Sequence, residues 1–373
     1  MRVNVLQENF STALATAVRF TSTKAQLPVL SNILLSAEKS SMVVSSTNLE
    51  NSISISVGAS VKNEGKITVP AKTISDLVLN LPKGNLLLDV EKEILTIKTE
   101  SFSSVVTGIN ASDFPSIPSQ IAKNHFNASS EDFISSLSSV LFSVSSDETR
   151  PVLTGVLMIF EESGITFVAT DGFRLSKKQT KIKTGYSGER MILPKNSLVE
   201  FSRLAAGSDT FSFDVDKANN QMVFAVDGKV LSSRVIEGTY PDFEKIIPKS
   251  SSVKISVDKE DFLRSVKLAS VFARDAANVV KIKVQPKSIK MLAESSQGGS
   301  QENEIEAKVD FGGSDSESDL LIAFNFKFLE EIANTLRGES IDIGLTDANS
   351  PGVFRDPNDD EYLHLIMPVR LSS

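Results

Sequence analysis

Catalytic chemistry in this chain would have to come from very few residues. It has two histidines, His125 and His364, and no cysteine. A Ser-His-Asp arrangement needs one histidine held against both partners, and no nucleophile-elbow pattern accompanies either one. The stretch "ATDGFRL" offers Asp171 as an acid, and a hydrolase built on Asp171 and His364 is one reading. It would lose activity in Asp171→Asn with folding intact. The competing reading is a turn aspartate ahead of a glycine. The acidic run "DPNDDEY" from Asp356 to Tyr362 lacks the spacing of a calcium loop and reads as a solvated loop. No phosphate-binding loop, dinucleotide fingerprint or metal-ligand spacing is present. What remains is binding chemistry: lysines and arginines that can meet phosphate, and apolar stretches that can meet a partner.

The elements that must position those residues repeat three times. "QENFSTALATAV", "SEDFISSLSSVL" and "KEDFLRSVKLASVF" place Phe10, Phe133 and Phe262 at the head of apolar runs with helical spacing. Those runs are Phe10, Leu14, Ala17, Val18; Phe133, Leu137, Val140, Leu141; and Phe262, Val266, Ala269, each one amphipathic face. Acidic residues in the first turn suit the helix dipole. "PVLSNILLSAE" at Pro28 returns as "PVLTGVLMIFE" at Pro151. "ITVPAKTISDLVLNLP", "MILPKNSLVEFSRLAA" and "LIAFNFKFLEEIANTL" each read as a strand entering a helix, the first two with proline at the helix start. Proline-rich punctuation in "ASDFPSIP" and "GTYPDFEKIIP" places linkers near 118–127 and 245–252.

In the first repeat the order is strand Val3–Val5, helix Glu8–Thr21, then strands near Asn32–Ala37, Met42–Ser46 and Ser52–Val57. Strand Lys66–Val69, helix Lys72–Leu81 and strands near Leu86–Val90, Leu95–Lys98 and Ser104–Gly108 follow. Each repeat therefore reads as βαβββ written twice, and "NSISISV" and "EILTIKTE" alternate as half-buried strands do. The expectation is an α+β chain of three domains, 1–120, 127–247 and 250–373, with "SSQGGSQEN" and "FGGSDSESD" as surface loops. The 373 residues, 40% hydrophobic, can bury such cores. A net charge of −8 argues against coating nucleic acid by bulk charge. The N-terminus lacks an apolar signal-peptide core, no window approaches a bilayer span, and a cysteine-free chain suits a reducing compartment. A cytoplasmic protein acting on the nucleoid is the expectation.

"FVATDGFRLS", "YPDFEKIIP", "FNFKFLEEI" and "EYLHLIMPVRL", in that order on a threefold repeat, resemble the bacterial DNA polymerase III beta subunit family, the sliding clamps. The resemblance spans essentially the whole chain. It implies the DNA clamp fold, closing as a head-to-tail homodimeric ring of six similar domains, with helices lining a hole around duplex DNA. It implies no enzyme activity, no cofactor, no metal and no membrane. The partners it implies are sequence-independent duplex DNA, a second copy, the DNA polymerase III alpha subunit, the clamp loader and other proteins carrying a clamp-binding motif. A peptide-binding scaffold that never encircles DNA is the alternative.

The same resemblance implies three sets of site residues. DNA-facing cations are Lys24, Lys72, Arg150 and Lys195, with Arg264, Lys267 and Arg274 on the third repeat's first helix. They would hold phosphate through screened, salt-sensitive contacts. The helix "EDFISSLSSVLFSV" has no basic residue, so the lining is sparse there. The peptide pocket is walled by Leu153, Thr170, Gly172, Phe173, Arg174, Leu175, Pro241, Lys245 and Ile246. Asn325 and Phe328 join it, with Leu365, Ile366, Met367, Pro368, Val369, Arg370 and Leu371 from the C-terminal stretch. Apolar walls would take Leu and Phe side chains, Met adapts its shape, and Arg174 and Arg370 would donate to peptide carbonyls. Phe173 offers no hydrogen bond where the family uses several ring types, and Lys245 stands where arginine is common. The dimer contact would join Val106 to Val271 or Phe272.

Overall fold

The computed structural model describes residues 1–22, 27–123, 125–186, 188–295, 297–312 and 320–370. Among them, one five-element string is written six times. It begins with β1 (Arg2–Leu6), α1 (Gln7–Ala17), β2 (Asn32–Glu38), β3 (Ser41–Thr47) and β4 (Asn51–Asn63). The second is β5 (Gly65–Pro70), α2 (Ala71–Leu79), β6 (Asn85–Glu91), β7 (Ile94–Lys98) and β8 (Ser103–Thr107). The third is β9 (Phe126–Ser129), α3 (Ser130–Leu141), β10 (Gly155–Glu161), β11 (Gly164–Thr170) and β12 (Arg174–Gln179). The fourth is β13 (Glu189–Pro194), α4 (Lys195–Ala205), β14 (Thr210–Asp216), β15 (Gln221–Val226) and β16 (Lys229–Arg234). The fifth is β17 (Val253–Asp258), α5 (Lys259–Ala273), β18 (Val279–Gln285), β19 (Ser288–Glu294) and β20 (Ser300–Asp310). The last is β21 (Leu321–Asn325), α6 (Phe326–Thr335), β22 (Ser340–Leu345), β23 (Gly352–Arg355) and β24 (Tyr362–Ile366).

Two helices open on a side-chain cap that satisfies a free amide of the first turn. Asp258 accepts from the Asp261 amide at 2.9 Å to open α5, and Asn325 accepts from the Lys327 amide at 3.0 Å to open α6. The apolar stripes are the ones the spacing marks: Phe10, Leu14 and Ala17 of α1 and Phe262, Val266 and Ala269 of α5 are buried. Truncating any one of the three repeated phenylalanines, none of them exposed at all, costs about 3–5 kcal/mol. The first helix is shorter than the Glu8–Thr21 reading, because Val18–Phe20 tightens into a 3-10 turn.

The halves of each repeat exchange their first strands. β1 lies between β4 of its own half, Val5 opposite Ala59, and β6 of the other, Val5 opposite Leu86, while β5 pairs with β2, Leu34 opposite Thr68. The same trade sets β9 on β14 and β13 on β10, then β17 on β22 and β21 on β18. Repeats join through their last strands: β16 adds to β4 with Leu231 opposite Ile53, and β24 adds to β12 with His364 opposite Ser176. The result is two 12-stranded antiparallel sheets. One belongs to a compact unit of Met1–Glu131 and Asn196–Val235, the other to a unit of Asp132–Lys195 and Ile236–Ser373. The central repeat is thus divided, one half-sheet in each unit.

The "SSQGGSQEN" run is only partly a loop. Gly298 and Gly299, both at positive φ, turn the β19–β20 hairpin, and Ser300 already opposite Glu294 begins a strand. The surface-loop reading of "FGGSDSESD" falls largely on 313–319, outside the described residues.

Candidate partner-binding site

The turn joining β11 to β12 carries the most exposed ring of the second unit. Phe173 is 63% exposed. Asp171 builds this turn: its Oδ1 accepts from the amides of Phe173 at 2.8 Å and Arg174 at 3.0 Å. Thr170 Oγ1 donates to the Arg174 carbonyl at 2.5 Å and accepts from the Gly172 amide at 3.0 Å. Gly172 has φ +93°, and a Cβ there would meet an Arg150 guanidinium nitrogen at 3.0 Å, so both conformation and space select glycine. The C-terminal stretch seals the turn from the other side. The Met367 amide donates to the Phe173 carbonyl at 2.8 Å, and the Val369 amide to the Ala323 carbonyl at 2.8 Å. Met367 and Ile246 are also exposed apolar side chains.

Beneath lies an apolar cluster. Leu175, Leu365, Val168, Leu157 and Phe243 are buried together, with Val152, Ile236, Tyr240 and Ile247 packed against them. Strand alternation separates neighbours here: Leu365 enters this cluster, whereas Ile366 enters the core of the third repeat. Ile366 therefore points away from this cluster. Leu153 and Thr170 are buried, and Lys245 is solvent-facing with Asp242 at 2.9 Å. Pro241 is exposed, Pro368 is half-buried and Arg370 is exposed. Asn325 is spent on capping α6. Leu371 lies outside the described residues. Tyr240, Val152, Phe243 and Val353 line this cluster and are not among the residues the resemblance implies. Tyr240 stands at the head of "YPDFEKIIP", and burial raises its phenol far above the usual range.

Arg174 is not the free donor that the resemblance implies. It is 9% exposed. Its Nε donates to Asp171 Oδ2 at 3.1 Å, Nη2 to the Phe142 carbonyl at 2.7 Å, and Nη1 to the Glu331 carboxylate. The rings of Phe328 and Phe142 lie 4.5 and 5.3 Å from its guanidinium carbon.

The cations fall in several places. Arg264 and Lys267 are exposed on α5 and Arg274 at its C-terminal cap, Arg264 paired with Asp261 at 2.9 Å. Lys72 is exposed on α2, Lys195 is half-buried at the start of α4, and Lys24 lies outside the described residues. Arg150 sits apart from the helices: it pairs with Asp147 at 3.0 Å and donates to the Asp171 carbonyl at 3.2 Å, which places it at the pocket turn. Val271 is 65% exposed on the α5 face that carries Lys267, while Phe272 is half-buried against the core. Val106 is buried under its sheet and Val105 is the outward residue, 61% exposed. A one-residue step along a strand reverses the face.

Asp171 and His364 do not form a catalytic pair. The Asp171 carboxylate is occupied by the turn and by Arg174. His364 is fully buried, its Nδ1 2.7 Å from Ser176 Oγ, which is itself 2.7 Å from Ser143 Oγ. Desolvation first, then the Arg174 charge, holds its pKa down to about 3.

Models of the DNA polymerase III beta subunit match residues 1–118 with the N-terminal domain, 127–242 with the central domain and 244–370 with the C-terminal domain. The chain belongs to the DNA polymerase III beta subunit family. A beta sliding clamp of Staphylococcus aureus is 25% identical over 380 residues, 99% of each chain. The crystal structure of the Bacillus subtilis sliding clamp is 25% identical with a TM-score of 0.93, and that of the C. crescentus beta sliding clamp 26% with 0.91, each covering all of both chains. The protein has the clamp fold and is a processivity factor of DNA replication, a non-catalytic subunit of DNA polymerase III. Membership carries DNA, a polymerase and self-association with it. Among the described residues no helix is long and apolar enough to cross a membrane.

Proposed function

We propose that two copies close head to tail into a ring that encircles duplex DNA. The ring slides on sparse phosphate contacts and tethers the polymerase III alpha subunit, the clamp loader and other motif-bearing proteins. The observation that carries this reading is the junction between repeats. The last strand of one half-repeat adds to the last strand of a half-repeat in its neighbour, β4 with β16 and β12 with β24. Among the described residues β8 pairs only with β7, and β20 over 300–306 only with β19. These two open edges are the same pair of elements, one from the first repeat and one from the third. Unpaired edges of this length invite another chain.

The ladders also specify a register. Leu34–Ser45, Leu157–Val168 and Lys281–Leu292 are equivalent pairs, which makes Ile53, Ser176 and Gln301 equivalent. Phe213–Phe224–Leu231, Ile343–Phe354–His364 and Leu88–Ile97–Ser104 are equivalent rows. Since Ile53 faces Leu231 and Ser176 faces His364, Gln301 of one copy faces Ser104 of the next and Ser300 faces Val105. The half-buried residues Gln301 and Ser104 then share one face and the exposed Ser300 and Val105 the other. A heterologous contact of this kind closes with two copies.

The three domains of this reading are 1–120, 127–247 and 250–373. Lys72, Lys195, Lys267 and Arg274 supply the phosphate contacts, which position without reading bases. Partner peptides lie on Phe173, Ile246 and Met367 above the Leu175–Leu365 cluster. The protein works in the cytoplasm on the nucleoid. The test is retention. The protein is loaded by clamp loader and ATP on nicked circular DNA, salt is raised, and half the sample is linearised. Retention on circles with loss from linear DNA is the expected result. Equal loss from both would replace the ring with an electrostatic binder or a scaffold that never encircles DNA.

A further inference from the structure

The peptide site rests on a contact that lies behind it. Arg174 stands at the start of β12, paired across to Ile366, and its side chain runs inward to two helices. One is α3, whose C-terminal flank offers the Phe142 carbonyl, a group left without an intrahelical partner and at the negative end of the helix dipole. The other is α6, which offers Glu331. The rings of Phe142 and Phe328 lie beside the guanidinium. Nε, Nη1 and Nη2 each already donate to a fixed acceptor. Two Nη hydrogens remain, but the side chain is only 9% exposed, which leaves little of it open to a peptide carbonyl.

We propose that Glu331 and Phe142 are positioning residues for partner binding, holding Arg174 as a strut that fixes the Asp171 turn and thereby aims Phe173 at the bound peptide. This rests on the peptide-pocket reading above. The path is continuous. Glu331 and the Phe142 carbonyl orient Arg174, Arg174 holds Asp171 Oδ2, and Asp171 Oδ1 holds the Phe173 and Arg174 amides. Phe173 itself touches little of the fold, at 63% exposed. Its placement therefore depends on that turn, and losing the strut frees a ring that otherwise pays no ordering entropy on binding.

The chain has no tryptophan, so Phe173→Trp gives one reporter per protomer, at the same site in each. In that background Glu331→Ala is expected to lower the steady-state anisotropy of the tryptophan. In the otherwise native chain Glu331→Ala and Phe142→Leu should weaken a fluorescein-labelled, Leu- and Phe-bearing peptide of the polymerase III alpha subunit about tenfold. Glu331→Gln, which keeps shape and a neutral acceptor, should weaken it only about threefold. Melting temperature should fall with the loss of a buried arginine's partner, and retention on circular DNA should stay as in the parent. A purely structural role would shift melting and leave the anisotropy alone. Ile246→Ala separates the two readings. If it leaves peptide affinity unchanged, the pocket itself is elsewhere. If it weakens binding while Glu331→Ala and Glu331→Gln do not, the strut proposal is overturned. Should Glu331→Ala misfold, unchanged affinity in Glu331→Gln and Phe142→Leu overturns it equally.

Discussion

Acidifying the protein should expose the cost of burying His364. The imidazole is completely buried between β12 and β24, bonded to Ser176 and lying 5.3 Å from the Phe142 ring. Its Nε2 finds no partner among the described residues, and the one charge that acts on it, Arg174, is cationic. Both effects favour the neutral ring, so its folded pKa of about 3 lies below the ordinary 6.5. For a depressed pKa the stabilisation is complete above the unfolded value and drains away as pH falls towards the folded one. At pH 5 the unfolded chain has taken up the proton and the native chain has not. The gap of 1.5 pH units below 6.5, at 1.36 kcal/mol each, removes about 2 kcal/mol. In a unit of this size that is about 4–8 °C of melting temperature. Thermal melts of the native chain and of His364→Gln at pH 7.0 and 5.0, at fixed ionic strength, isolate the effect, since carboxylate losses are common to both. The native chain should lose about 4–8 °C more than the variant. Parallel losses in the two proteins would refute the account of a desolvated, neutral His364.

Three further outcomes follow from the geometry. In this cysteine-free chain, Val105→Cys with Ser300→Cys should form an intermolecular disulfide, visible as a covalent dimer on non-reducing gels. Val105→Cys with Glu302→Cys, two residues out of register, should form far less, and the reverse ranking would discard the deduced pairing. Gly172→Ala, at φ +93° against Arg150, should cost about 1–2 kcal/mol of stability and weaken the alpha-subunit peptide, read by denaturant melts and anisotropy. Lys267→Ala with Arg274→Ala, two exposed cations on α5 and at its C-terminal cap, should flatten the log–log salt dependence of binding to linear duplex by about 1.8, and an unchanged slope would remove both from the DNA surface.

Much of the architecture was legible because each half-repeat announces its helix with the same apolar spacing and each strand alternates. All six helices and the doubled βαβββ order are readable from Phe10, Phe133, Phe262 and the three strand-to-helix entries. The exchange of first strands was not, because alternation marks the buried face of β1 without saying whether β2 or β6 lies beside it. Site residues failed at the resolution of one position. Val106 and Ile366 are buried, Ile366 in the core of the third repeat, where neither offers a side chain to a partner. Arg150 and Arg174 have the right chemistry, but sequence does not reveal that Asp147, Asp171 and Glu331 already occupy them. Glu331 lies 157 residues from Arg174, and no local pattern connects them.

The exchanged strands also set a clock for synthesis. Val5 is translated 81 residues before Leu86, its ladder partner, and at ~5–20 residues per second it waits roughly 4–16 s for it. Ala128 waits about as long for Phe211, and Ile255 for Ile343. β1 and β17 find one partner strand within their own half, β4 and β20, and wait for the other, whereas β9 waits for its only partner among the described residues. A ribosome paused just after β4 would hold a β1 that can already pair with β4 on one edge while its other edge stays open until β6 is made.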